Sequence, residues 1–123
     1  MRYLIVGGSS GIGLATARRL VGAGHEVIVW SRSPGEELAN LGCEHREVDV
    51  TGDLDGAEVP DELSGVGYFP GSINLAPFER LKLDAFRADL EINLLGAVKV
   101  LQKTVPQMSR AGGGSVVLVS TVA

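Results

Sequence analysis

Residues 7–13 read Gly-Gly-Ser-Ser-Gly-Ile-Gly, four glycines in seven positions, directly after the apolar run Tyr3-Leu4-Ile5-Val6. The apolar residues that follow, Leu14, Ala17 and Val21, recur at helical spacing. Strand, glycine-rich turn and helix in that order make a cradle for phosphate. Gly7 allows a tight turn off the strand, Gly11 lets backbone approach a ligand closely, and Gly13 lets the helix pack on the sheet. The first N–H groups of such a helix lack intrahelical partners and lie at its positive end, where a pyrophosphate is favoured. Ser9 and Ser10 add hydroxyl donors, and Ile12 lies within the same loop. The alternative is a purely structural strand-to-helix turn, which has no need of so many glycines.

A second group of polar residues ends the next apolar run. Val27-Ile28-Val29-Trp30 is followed by Ser31-Arg32-Ser33. In a dinucleotide fold an acid at this point accepts the adenosine ribose hydroxyls and marks NAD. No Asp or Glu stands at this strand end. A cation flanked by hydroxyls suits a 2′-phosphate instead, so the expected cofactor is NADP(H). Arg32 as a plain solvated charge is the competing reading.

These residues need a frame, and the apolar patterning supplies one. Residues 2–6 read as a buried parallel strand and 11–23 as a helix ending at Gly24. Residues 27–30 form a second strand, 35–42 a short helix, and 44–50 end in a third strand. Residues 66–71 make the fourth strand and its exit, and 115–121 a fifth strand ending in hydroxyls. The longest helical signal spans 78–110, with Phe86, Leu90, Leu94, Ala97, Val98, Leu101, Val105 and Met108 at spacings of three or four. Asp84 is the expected N-cap, Pro106 the expected kink, and Gly112-Gly113-Gly114 the stop. A mid-helix amide at Asn93, on or beside the apolar face, must find a hydrogen-bond partner. One bland solution is a neighbouring backbone carbonyl.

The spacing Gly7-x-x-x-Gly11-x-Gly13 differs from the common G-x-G-x-x-G. With its apolar surroundings it resembles the cofactor loop of the classical short-chain dehydrogenases/reductases, Val6 standing where that family carries Thr. The resemblance implies an α/β, Rossmann-like, doubly wound parallel sheet of five strands in order 3-2-1-4-5 within one cofactor-binding domain. It places Asp49-Val50 on the family's Asp-Val turn, where the carboxylate meets the adenine amino group; a plain turn role for Asp49 stays open. It makes Asn93 the helical Asn that holds a water in a proton relay. Counting back from Asn93 sets Tyr68, Phe69, Pro70 and Gly71 on the family's Asn-Asn-Ala-Gly, so two amides have become two aromatics. Counting forward sets Thr121 on the family's catalytic Ser, with Ser120 just before it.

Size and composition fit this reading. A chain of 123 residues can bury a real core, and 45% hydrophobic content with 17 glycines suits a compact α/β domain. A net charge of −4 without a basic cluster argues against nucleic-acid binding. The single cysteine, Cys43, has no internal partner, which points to a reducing cytoplasm. No apolar run is long enough for a membrane span. Thr51, Asp53, Asp55, Gly56 and Glu62 fall at positions 1, 3, 5, 6 and 12 of a calcium-loop pattern. Position 1 is no carboxylate, and Pro60 with the strand before denies the flanking helices, so no metal site is expected. The acidic segment 51–65 is short, so the helix there is expected to shrink to a turn or two.

The family's proton donor lies in a Tyr-x-x-x-Lys helix beyond the Ser position. Tyr3 and Tyr68 are the only tyrosines, and neither has a Lys four residues on. The expectation is therefore a truncated NADP(H)-binding part of an enzyme for carbonyl reduction or alcohol oxidation, inactive by itself. A catalytically silent nucleotide-binding or self-associating module is the second reading, and a sugar epimerase, against which the glycine spacing speaks, the third. Val116-Val117-Leu118-Val119 is uncharged and rich in β-branched residues, so strand 115–120 as a sheet edge, or helix 84–110, is expected to support a homo-oligomer.

Overall fold

The computed structural model describes residues 1–121. Five strands form one parallel sheet in order β3-β2-β1-β4-β5: β1 Arg2–Val6, β2 Glu26–Ser31, β3 Glu44–Glu47, β4 Leu63–Tyr68 and β5 Ser115–Leu118. The helices are α1 Gly11–Gly22, α2 Glu36–Ala39, α3 Leu83–Leu90 and α4 Gly96–Arg110, with one π turn, Glu91–Leu95, joining α3 to α4. The strand order reverses between β1 and β4, and α1 begins just beyond that switch point.

Alternate residues of a strand face opposite sides, and the inner strands β1 and β2 carry buried apolar residues on both faces, whereas the edge strand β3 is polar. Leu4, Val6, Ile28, Trp30, Val66 and Tyr68 pack on one face with Ala97, Val100 and Met108 of α4. Ile5, Val27 and Val29 pack on the other with Leu14 and Ala17 of α1 and Leu38 of α2. Each large side chain buried this way contributes about 1.5–3 kcal/mol.

Several boundaries differ from the sequence reading. β3 stops at Glu47, because Asp49 already turns the chain by accepting the Thr51 N–H at 2.9 Å. β4 starts earlier and ends at Tyr68; Pro70 has no N–H with which to extend a ladder. β5 ends at Leu118. Lys82, not Asp84, holds the N-cap position of α3, and Asp84 lies in its first turn, where a carboxylate still meets the positive helix end.

Between β3 and β4 no helix forms. Residues 51–62 are irregular, yet they bury Leu54 and pack Ala57 and Val59 on the core around Trp30. An outside element must satisfy the carbonyls that an irregular segment leaves without backbone partners. One row of α4 does so: Lys99 Nζ donates to Gly52 O at 2.9 Å, Lys103 Nζ to Leu54 O at 2.7 Å and Gln107 Nε2 to Pro60 O at 2.8 Å. Their i, i+4, i+8 spacing puts all three on one helix face.

Candidate functional site

The glycines of the 7–13 loop split into two kinds. Gly7, at φ +78°, donates its N–H to Trp30 O at 2.8 Å, and a Cβ there would sit 2.8 Å from Pro70 Cδ. A Cβ on Gly13 would run into the Gly7 carbonyl oxygen. Both positions are closed by packing. Gly11, at φ +56°, has no atom within 4 Å of where its Cβ would be. Its side is open space, as close approach of a ligand requires. Ser10 precedes α1 in an extended conformation and makes no side-chain cap bond, and the first turn of α1 carries no acid. Free N–H groups and the positive helix end therefore face outward together.

Above this loop lies a cleft of about 340 Å³. Gly7, Ser9, Ser10, Gly11, Ile12 and Gly13 form its centre. Ser31, Arg32 and Ser33 close one end with Asp49 and Val50, and Pro70 and Gly71 form the other. All thirteen expected cofactor-contacting residues thus line one cleft at the carboxyl ends of β1 to β4.

The three residues at the β2 end are not equivalent. Ser31 is only 8% exposed; its Oγ donates to Ser33 O at 2.6 Å and lies 2.8 Å from His45 Nε2. The single hydroxyl proton is committed to Ser33, so His45 Nε2–H is the donor to Ser31. Ser31 braces the turn with its hydroxyl proton while lining the cleft. Arg32 is exposed and makes no ion pair among the described residues. Asp49 Oδ1 accepts both the Thr51 N–H and, at 2.7 Å, the Thr51 hydroxyl. Those two bonds hold its carboxyl below the ordinary range, with Arg32 and Lys99 adding smaller attractions against a burial penalty. Asp49 is a turn residue whose Oδ2 remains for other partners.

The aromatic pair at the end of β4 goes to opposite faces. Phe69 packs with the α1-side core, while the Tyr68 hydroxyl donates to the Ile92 carbonyl. In the π turn the Gly96 N–H bonds Glu91 O rather than Ile92 O, which frees the carbonyl that Tyr68 takes. Burial pushes the Tyr68 phenol up to about 12.

The expected catalytic residues lie outside the cleft lining. Asn93 uses its amide on Ser72, accepting the Ser72 N–H at 2.9 Å and donating to Ser72 O at 2.7 Å. Its partner is thus a backbone segment distant in sequence. Ser120 and Thr121 are exposed. Tyr68 pairs with Leu118 in register, so they follow at the same sheet edge as Pro70 and Gly71. Val6, Trp30, Val48, Thr51, Phe69 and Ile92 also line the cleft and were missed. The signal for Val6, Trp30 and Phe69 was position alone, at or just past a strand end. Trp30 Nε1 is buried without a hydrogen-bond partner. Among the described residues no group of His, Cys, Asp or Glu could hold a metal, and no helix is long and apolar enough to cross a membrane.

A family model described as enoyl-(acyl carrier protein) reductase matches residues 6–123. A short-chain type dehydrogenase/reductase from Mycobacterium ulcerans superposes with a TM-score of 0.84 at 31% identity, over 99% of this chain and 51% of that one. The chain belongs to the short-chain dehydrogenase/reductase family. Human 3-hydroxyacyl-CoA dehydrogenase type-2 is 30% identical over 96% of this chain and 54% of its own length. The 3-oxoacyl-[acyl-carrier-protein] reductase MabA of Mycobacterium tuberculosis is 30% identical over 97% of this chain and 50% of its own. The chain therefore spans about half the length of the curated relatives it matches. Members of this oxidoreductase family use nicotinamide cofactors.

Proposed function

We propose that this chain is the NADP(H)-binding half of a short-chain dehydrogenase/reductase that reduces a carbonyl or oxidises an alcohol. Arg32 carries the cofactor preference: an exposed guanidinium without an ion-pair partner among the described residues stands at the β2 end, where a carboxylate would serve NAD. Ser33 is the hydroxyl donor beside it. The α1 N-terminus and Gly11 would hold the pyrophosphate, Asp49 Oδ2 the adenine edge, and Pro70 and Gly71 the nicotinamide side. The open space at Gly11 in the cleft fits a bound dinucleotide. Asn93, Ser120 and Thr121 would serve the substrate side.

The proton donor does not come from the tyrosines of this chain. Tyr68 is committed to Ile92 with its phenol far above working pH, and Tyr3 lies toward the amino end of β1, away from the cleft. Alone, the chain would bind cofactor without turnover. A second reading, self-association, is supported by β5, which among the described residues pairs on one side only and is exposed along its length.

Binding tests the proposal directly. Trp30 is the only tryptophan and lines the cleft, so NADPH should quench its emission. Titration should give tighter binding of NADPH than NADH; equal affinities, or tighter NADH, would overturn the assignment.

A further inference from the structure

Beyond Phe69 and Pro70 the loop after β4 has no buried apolar side chain. Pro70 and Gly71 line the cleft, but Ile73 and Leu75 just beyond them are 75% and 85% exposed. Polar bonds to one helix face hold this loop. Asp89 of α3 accepts the Ser72 hydroxyl at 2.6 Å and the Asn74 amide at 2.9 Å on Oδ1, and the Asn74 N–H at 3.1 Å on Oδ2. Asn93, four residues on, takes both backbone groups of Ser72. A carboxylate is the one side chain of this length that accepts from three donors at once. An amide would turn its NH₂ toward a donor.

The clamp has a direction. With pyrophosphate at the α1 N-terminus over β1 and adenosine over β2 and β3, the remaining half of a dinucleotide lies over β4. The wall there is Pro70-Gly71, immediately before the clamped Ser72. Pro70 also packs directly against Gly7 of the phosphate loop, so a shift of this wall cannot be absorbed locally.

We propose that Asp89 is a positioning residue that, through Ser72 and Asn74, sets the nicotinamide-side wall of the cleft. This rests on the cofactor reading above. Asp89 touches no ligand itself; it fixes the backbone that does.

The experiment compares wild type, Asp89→Leu and Asp89→Asn with two probes: NADPH, and 2′,5′-ADP, which carries only the adenosine half. Both variants should lose roughly tenfold or more in NADPH affinity, the factor associated with one charge-assisted hydrogen bond, and the emission enhancement of the bound nicotinamide should fall. Binding of 2′,5′-ADP should stay within about twofold of wild type, because its site is over β2. Unchanged NADPH binding overturns the proposal, and so does a parallel loss of both ligands, which would mean general loosening. If Asp89→Leu fails to fold, Asp89→Asn with its near-identical shape decides. A wild-type chain that binds neither probe overturns the cofactor reading itself, and the positioning role with it.

Discussion

The Tyr68 hydroxyl donates to the Ile92 carbonyl, and the same hydroxyl occupies the space a side chain at residue 96 would need. Three features are therefore one device: the π turn frees the carbonyl, Gly96 makes room, and the phenol fills both. Removing one partner leaves a part-buried carbonyl unsatisfied. Tyr68→Phe should cost about 1–3 kcal/mol on that ground. Gly96→Ala should destabilise by about 1–3 kcal/mol through overpacking, although alanine is the better helix former. The double variant should cost less than the sum, because losing the hydroxyl makes room for the methyl. Denaturant unfolding of the four proteins is the measurement, and strict additivity would break the link between the two positions.

Arg32→Ala should weaken NADPH binding by about 1.5–3 kcal/mol, the range for a hydrogen bond to a charged group, and leave NADH nearly untouched. Calorimetric titration of both cofactors reads this out. A similar loss for the two would make Arg32 a general electrostatic contributor instead of the 2′-phosphate partner. Gly11→Asp, which fills the open space and adds a negative charge at the helix N-terminus, should abolish binding of either.

Asp49 gives a pH dependence with a definite sign. Its carboxyl is held below the ordinary value, chiefly by the Thr51 hydroxyl and N–H. A depressed folded value means that the unfolded chain takes up the proton first as pH falls. The stabilisation is complete above the unfolded carboxyl range near pH ~4 and is lost as pH falls through the lower folded value. Thr51→Val removes the larger of the two bonds. It should therefore lower stability at neutral pH, with the difference from wild type shrinking toward zero in acid. A gap that persists unchanged at pH ~2 would assign the loss to packing.

What the sequence disclosed was what depends on neighbours in the chain. The glycine loop, the apolar strands and the exposed polar end of β2 are local patterns, and the strand order came from the family those patterns resemble. The site residues on strand ends converged because a parallel sheet collects its carboxyl ends at one edge. Asp89 gave no such signal. Its partners, Ser72 and Asn74, lie 17 and 15 residues away across a turn. The Ser31–His45 bond joins adjacent strands and is invisible without their register. The short segment 51–65 was expected to keep a helix of a turn or two, and residues 51–62 form none. Its carbonyls instead find Lys99, Lys103 and Gln107, donors 47 to 49 residues away in the sequence.

The free side of β5 carries the last prediction. Among the described residues β5 pairs only with β4, and Val116, Val117, Leu118 and Val119 are 42–53% exposed. Unpaired N–H and C=O groups on an uncharged, β-branched strand form a template for another strand. Two copies about a two-fold axis can pair these edges antiparallel and join two sheets into one. Leu94, Leu95, Val98 and Val105 offer further exposed apolar surface to the same assembly. Light scattering after size exclusion, at tens of micromolar, should therefore report a dimer or larger species. Val117→Lys puts a charge on the edge and should return the chain to monomer while leaving NADPH binding intact, since Val117 is not part of the cleft. A wild-type monomer would refute the edge argument. A dimer that survives Val117→Lys would move the contact to the helix, where Val98→Lys should then dissolve it.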